Sequence, residues 1–174
     1  VTSITKAELE VMIREAVELA GGLADIIDDG DEVVLKPNMV SHTFRGEALA
    51  TEANGMITDW RIVATVAKIV RELNPTGTIL VMEGSAVNTT EGYSVMKYTS
   101  ANMPEVDEFL TFENTSGNWH EYDASELVEV TLPAGEKLYP NNLKPNKSDE
   151  FYYNRKYFEA DVLISLPVLK NHET

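Results

Sequence analysis

The chain has 174 residues, of which 43% are hydrophobic, so it is long enough for one domain with a substantial core. Its net charge of −15 repels nucleic acid and anionic membrane surfaces, and we expect no nucleic-acid partner. No apolar stretch is long enough to span a bilayer. The absence of cysteine excludes disulfides, thiolate nucleophiles and cysteine-held clusters within these residues.

The sequence leaves the cellular compartment open. No signal peptide is visible, which favours the cytoplasm. However, the chain begins with Val1 rather than methionine, which indicates that an upstream segment was removed. That segment could have carried a targeting signal.

The first elements along the chain are a helix and a short strand. Thr5 and Glu8 fit a capping box at the start of the helix, and Gly21-Gly22 ends its apolar periodicity. Glu32–Leu35 is predicted to be a strand that ends at Lys36-Pro37-Asn38, because proline cannot donate to a strand ladder.

A second helix and strand follow a long loop. Residues 39–57 lack periodicity, and a loop of that length is often functional. Thr58 or Asp59 caps the helix, and the continuous apolar strand Thr78–Met82 runs into Glu83-Gly84-Ser85. This order is a βαβ unit, for which parallel pairing is expected.

The rest of the chain is less regular. The pattern predicts a short helix near Tyr93–Tyr98, strands at 110–112 and 127–132, a polar surface excursion at 133–149, an aromatic edge strand or ribbon at 151–158, and a buried strand at 161–166. The fold class that results is α/β, a mostly parallel sheet with flanking helices, in a single domain over residues 1–174.

Polar side chains follow three of the predicted strands. Because the carboxyl ends of parallel strands share one edge of the sheet, we expect these side chains to lie together and to bind a small anionic ligand. They are Lys36, Asn38, Glu83, Ser85, Lys170 and His172.

Each of these residues has a predicted role. Lys36 and Lys170 hold the anion, with Asn38 and Ser85 as further ligand-binding residues. His172 and Glu83 are the candidate catalytic residues, because histidine titrates near neutrality and a shielded carboxylate can exchange protons. The 39–57 loop would close over the site, and Gly84 would let the backbone approach the ligand closely.

Other interpretations stay open. The lysines could form structural ion pairs in a non-catalytic binding or assembly module, with the Phe151–Phe158 ribbon as a protein interface and an oligomer as the result. No histidine pair has the spacing of a ready-made metal site, so we assign no metal ligand. A metal site assembled across loops from His42, Glu83 and His172 is a third alternative. Neither a glycine-rich nucleotide fingerprint nor a hydrolase serine elbow is present.

Three motifs carry a resemblance to a known family. They are GDEVVLKPNMV (30–40), ILVMEGSA (79–86) and ADVLISLPVLKNH (160–172). In order and spacing they resemble the domain of unknown function 362 family. The resemblance implies an α/β domain with a polar centre on Lys36, Asn38, Glu83, Lys170 and His172, but no activity, since the family's activity is unknown.

The chain departs from the family pattern in several places. Ser165 stands where the family usually has asparagine, Val168 where it has lysine, and Asn171 where it has threonine. The family pattern continues past the histidine, so the resemblance implies an incomplete domain, truncated at its carboxyl end. Many relatives also carry a cysteine-rich ferredoxin-like region. No residue here can hold such a cluster, so that region lies outside this chain and the cofactor is unknown.

Overall fold

A computed structural model describes residues 4–44, 46–52, 54–86, 88–112, 126–131 and 150–169. The helices are α1 (Lys6–Leu19), α2 (Trp60–Leu73), α3 (Thr89–Val95) and α4 (Arg155–Glu159). The strands are β1 (Glu32–Pro37), β2 (Thr43–Phe44), β3 (Glu47–Ala48), β4 (Thr78–Glu83), β5 (Glu108–Thr111), β6 (Leu127–Thr131), β7 (Glu150–Asn154) and β8 (Val162–Leu166).

The centre of the fold is a four-stranded sheet in the order β5-β4-β1-β8. Every pair in it is parallel, which confirms the predicted α/β class. From β1 the chain adds β4 and then β5 on one side, and β8 lies on the other side of β1. The direction of strand addition therefore reverses between β1 and β8, which is the place where ligands bind in open α/β sheets.

Helix α2 covers one face of the sheet, which we call the α2 face. Val33, Leu35, Ile79 and Val81 point to this face and belong to the main hydrophobic cluster. The apolar side chains of α2 join the same cluster, because they recur at helical spacing along one side.

The opposite face, which we call the α4 face, has a smaller apolar cluster. Its buried members are Val34, Leu80 and Met82. Tyr157 of α4 and Phe112, just after β5, pack against them. The sheet is therefore buried on both faces over β4 and β1, as continuous apolar strands predict.

Helix α1 forms an outer layer on α2. Its capping box is confirmed, with Thr5 as N-cap and Glu8 at the third position. No side chain of α1 is fully buried. Arg14 makes two hydrogen bonds to Glu72 of α2, and Lys68 of α2 bonds to Glu10.

Several strand boundaries differ from the sequence prediction, and those of β1 and β7 have a clear physical reason. β1 continues through Pro37, which is in register with Leu166 of β8. The proline is tolerated because it is the last residue of its strand, where one missing donor costs little. The aromatic segment from Phe151 is a strand only as far as Asn154. Asn154 then caps α4 by accepting a hydrogen bond from the Lys156 amide.

The prediction that the last strand is fully buried is wrong for one of its faces. Val162 is buried, but Leu163 is 47% exposed and Ser165 is exposed. The reason is position, because β8 is the edge strand of the sheet within the described residues. Only its α2-face side chains, such as Ile164 and Leu166, pack against the main cluster.

Among the described helices, none combines the length and the apolar character that crossing a membrane requires.

Candidate functional site

An ion pair joins the carboxyl ends of β1 and β4. The Lys36 Nζ lies 2.7 Å from Glu83 Oε2. The Glu83 side chain is 9% exposed and the Lys36 side chain 36% exposed, so the lysine forms the accessible side of the pair. The other carboxylate oxygen of Glu83 accepts the Gly84 amide at 2.9 Å. The sequence prediction that these two strand ends meet is therefore realised as a direct contact.

Three tyrosines lie near Glu83. Tyr157 donates a hydrogen bond to the Met82 carbonyl at 2.7 Å, and Tyr93 donates one to the Leu110 carbonyl at 2.8 Å. Tyr98 donates to the carbonyl of Thr58, just before α2. Burial raises the pKa of each phenol, and the negative charge of Glu83 raises it further. The tyrosines thus remain neutral near physiological pH, and all three lie close enough to the Glu83 carboxylate to be affected by its charge.

Asn38 fastens the two ends of the 39–57 loop together. Its side-chain amide donates to the Met56 carbonyl at 2.7 Å. Its backbone amide donates to Thr58 Oγ1, and its carbonyl accepts the Thr58 amide, both at 2.9 Å. The amide donors of Asn38 therefore hold the loop. Its side-chain oxygen has no hydrogen-bond partner among the residues that the structure describes.

Thr58 bridges β1 and β8 where their ladder ends. Its hydroxyl accepts from the Asn38 amide and donates to the Leu166 carbonyl at 2.6 Å. Of the two predicted caps for α2, Asp59 is the one used, because its carboxylate accepts the Arg61 amide at 3.0 Å. The Thr58 hydroxyl is therefore free to connect the ends of the two strands.

Ser85 and Gly84 are engaged by neighbouring parts of the protein. The Ser85 hydroxyl donates to the Val40 carbonyl at 2.8 Å, and its amide donates to Thr89 Oγ1 at 2.7 Å. A Cβ added to Gly84 would lie 2.2 Å from a ring carbon of Phe112. The sequence predicted that a ligand would come close to the backbone at Gly84. In the structure the ring of Phe112 occupies that position.

His42 ties the same loop to α3. Its Nε2 lies 3.7 Å from Glu91 Oε1, and its side chain is 11% exposed. Its Nδ1 is buried without a hydrogen-bond partner and faces Gly92, whose added Cβ would lie 3.7 Å away. Within the ranges that the structure describes, no three histidine, aspartate or glutamate side chains are grouped to hold a metal ion.

Glu52 anchors the far part of the 39–57 loop to α2 and to the turn that follows α3. Its carboxylate lies 3.1 Å from Lys97 Nζ and 3.4 Å from an Arg61 nitrogen. These partners, Lys97 foremost, hold the pKa of Glu52 below its usual value. Because Arg61 is itself buried against Asp59, the anchor rests on a rigid base.

The structure brings together only part of the predicted site. Lys36 and Glu83 are in contact, and Asn38 and Ser85 flank them on the two chain segments that leave the sheet. Lys170 and His172 lie outside the described residues. The described chain leaves β8 beside Pro37 and can be followed to Leu169.

Sequence reasoning gave no site role to Ser165, which is in register with Lys36. The alternation of side chains along Val162–Leu166 could have indicated such a role. It places Ser165 on the face of the strand opposite to the one whose apolar side chains point into the core. It was overlooked because the strand was taken to be buried on both faces.

Comparison with known proteins identifies the family and nothing more specific. No match was found among curated proteins or solved structures. Residues 33–174, most of the chain, match the family described as "Domain of unknown function (DUF362)". The chain therefore belongs to the DUF362 family.

Proposed function

We propose that the protein binds a small anion at the carboxyl edge of its parallel sheet. Lys36 contacts the anion, and Glu83 exchanges a proton with the bound ligand. The observation that carries this proposal is the Lys36–Glu83 pair, in which a part-exposed ammonium lies against a shielded carboxylate at adjacent strand ends.

The ammonium group of Lys36 has capacity for a ligand. An ammonium offers three hydrogen-bond donors. One is used by Glu83, and the contact with the Pro37 carbonyl, at 3.5 Å, is too long to be strong. At least one donor therefore points to solvent, and a carboxylate or phosphate oxygen is its natural partner.

Glu83 would control how much positive charge the ligand meets. The Glu83 carboxylate lies 2.7 Å from the Lys36 ammonium and offsets its positive charge, so a substitution that removes this carboxylate would leave the lysine unpaired and more attractive to an anion. Lys170, in the segment that follows β8, is proposed to add a second cation, with His172 as a second proton-exchanging group.

A thermal-shift panel with inorganic phosphate and succinate tests the proposal. At ten times its dissociation constant, a ligand stabilises the fold by about 1.4 kcal/mol, which raises Tm by roughly 3–6 °C for a chain of this size. We expect Lys36→Met to abolish the shift. Lys68→Met, which removes a lysine of similar exposure on α2, is the matched control and keeps it. Equal shifts in wild type and Lys36→Met would contradict the proposal.

A second candidate function is a protein interface on the aromatic segment. Tyr153 is 49% exposed, Phe158 61% and Leu163 47%, an unusual share of apolar surface for one region. On this view the chain is an assembly module and Lys36–Glu83 is a structural pair. Light scattering, which measures the molar mass in solution, tests this candidate. The interface requires wild type to form an oligomer and Phe158→Ser to weaken it.

A further inference from the structure

Ser165 lies beside Lys36 on the same face of the sheet. The two residues are register partners in the parallel β1–β8 pair. Neighbouring strands are about 5 Å apart, and register partners project to the same side. That side is the α4 face, because Val34, two residues before Lys36, belongs to the α4-face cluster. The side chains of Lys36 and Ser165 thus start from adjacent positions on one face, although the lysine ammonium is bonded to Glu83 of β4 and would have to turn toward β8 to share a ligand with the serine.

The Ser165 hydroxyl is available. Ser165 is exposed, and its side chain makes no hydrogen bond to any of the described residues. Its neighbours Ile164 and Leu166 pack into the main cluster. An exposed serine is usually only solvated, so its exposure alone assigns nothing, and the argument depends on where this serine stands.

Ser165 lies at the crevice between β1 and β8, where the direction of strand addition reverses. The β1–β8 ladder ends at the Pro37–Leu166 pair, and beyond it Thr58 connects the two strands through its hydroxyl. Thr58 is 3% exposed and closes the crevice from its own side. On the α4 face the crevice is open, since Ser165 is exposed there and the Lys36 side chain is 36% exposed.

We propose that Ser165 is a ligand-binding residue that selects oxyanions. One oxygen of a carboxylate or phosphate group accepts from Lys36 Nζ, and a second oxygen accepts from Ser165 Oγ. A single-atom anion such as bromide can use the lysine but cannot bridge the two strands. This inference rests on the proposed anion site and adds a selectivity to it.

The test compares oxyanions with a halide on the full chain. Inorganic phosphate, acetate and bromide are titrated, and dissociation constants are taken from amide chemical shifts. We expect Ser165→Ala to weaken phosphate and acetate binding about tenfold, the usual effect of losing a hydrogen bond to a charged group. Bromide binding should not change, and Ser165→Thr, which keeps the hydroxyl, should bind phosphate within about twofold of wild type.

The controls separate this inference from the proposal beneath it. Ser100→Ala removes an exposed serine in the turn after α3 and should leave all three constants unchanged. If Lys36→Met abolishes phosphate binding while Ser165→Ala binds as wild type does, the role of Ser165 is refuted and the anion site stands. If Ser165→Ala weakens bromide as much as phosphate, the oxyanion selectivity is refuted. If wild type binds none of the probes, both proposals fail.

Discussion

The two edges of the parallel sheet treat their polar groups differently. At the amino edge, Asn74 is 0% exposed and bonded on every side. Its side-chain oxygen accepts the amides of Gly30 at 2.7 Å and Gly77 at 2.9 Å, and its amide donates to the Asp31 carbonyl at 2.9 Å. Asn74 thus ties the turn before β1 to the turn before β4.

Arg71 strengthens the same edge. Its guanidinium donates to the carbonyls of Asn74, Gly77 and Glu105 and to the carboxylate of Asp107. The Asp107 oxygen also accepts the amide of Ile79 in β4 at 2.8 Å. The partners of these side chains all belong to the protein itself.

At the carboxyl edge several polar groups keep unused capacity. Lys36 has a spare donor, and among the described residues the Ser165 hydroxyl, the side-chain oxygen of Asn38 and the Nδ1 of His42 have no hydrogen-bond partner. Of these groups the His42 nitrogen is buried, and buried polar groups are normally satisfied. The amino edge thus serves stability, and the unused capacity at the carboxyl edge supports the proposal that a ligand binds there.

The largest expected effect would come from breaking the amino edge. Asn74→Ala removes the buried side chain that accepts the Gly30 and Gly77 amides and donates to the Asp31 carbonyl, and it should lower the free energy of unfolding by about 3 kcal/mol, roughly 1 kcal/mol for each of the three hydrogen bonds. Ser165→Ala at the other edge should change it by less than about 0.5 kcal/mol. Urea denaturation measures both. A cost below about 1 kcal/mol for Asn74→Ala would remove the contrast between the edges.

The affinity for sulfate at pH 7 tests the carboxyl edge. Glu83→Gln removes the carboxylate that offsets the charge of Lys36, so we expect this substitution to raise the affinity for sulfate several-fold. Titration of each variant with sulfate, followed by amide chemical shifts, measures the change.

Glu105→Gln, at the amino edge, is the matched control and should bind sulfate as wild type does. Unchanged or weaker sulfate binding by Glu83→Gln would contradict the view that Glu83 limits the positive charge offered to the ligand.

A smaller effect is expected at alkaline pH. Burial raises the pKa of Tyr98 above the usual 10.0, so the unfolded chain ionises first. The stability contribution of Tyr98 is therefore complete below pH 10 and is lost as pH rises toward the folded-state pKa. Tyr98→Phe should cost about 1 kcal/mol at pH 7 and should unfold with a weaker dependence on pH above 10. Denaturation at pH 8 and pH 11 gives the comparison.

The smallest expected effect on stability comes from Glu52, which anchors the 39–57 loop. Lys97 and Arg61 lower the pKa of Glu52 below 4.5, so its contribution is present above pH 4.5 and is lost as pH falls through the folded-state value. Solvent screens this carboxylate, which is 37% exposed, so Glu52→Gln should cost less than about 1 kcal/mol at pH 7. The cost should disappear near pH 3. A cost that persists there would mean that the charge of Glu52 is not what holds the loop.

Local signals predicted much of the fold. The capping box of Thr5 and Glu8 and the apolar strand before Glu83 are each determined by neighbours within a few residues, and both are confirmed. The parallel pairing followed from the βαβ order. The helix after Asn154 also had a local signal, its asparagine cap, but the aromatic residues around it indicated a strand more strongly.

The site was harder to predict because its contacts join distant segments. The residue types of Asn38 and Ser85 do not tell whether their hydrogen bonds go to Met56 and Val40 or to a ligand. The exposure of Ser165 depends on β8 being an edge strand, which the sequence of that strand does not encode. The sequence could predict that Lys36 and Glu83 lie close together only because both stand at the ends of buried strands of one sheet.

The most direct test of the anion site is a crystal structure of the protein grown or soaked in sulfate. We predict a sulfate ion on the α4 face between β1 and β8, with oxygens within about 3 Å of Lys36 Nζ and Ser165 Oγ. A structure in which sulfate occupies other lysines, while Lys36 remains bonded only to Glu83 and the crevice holds no anion, would contradict the account.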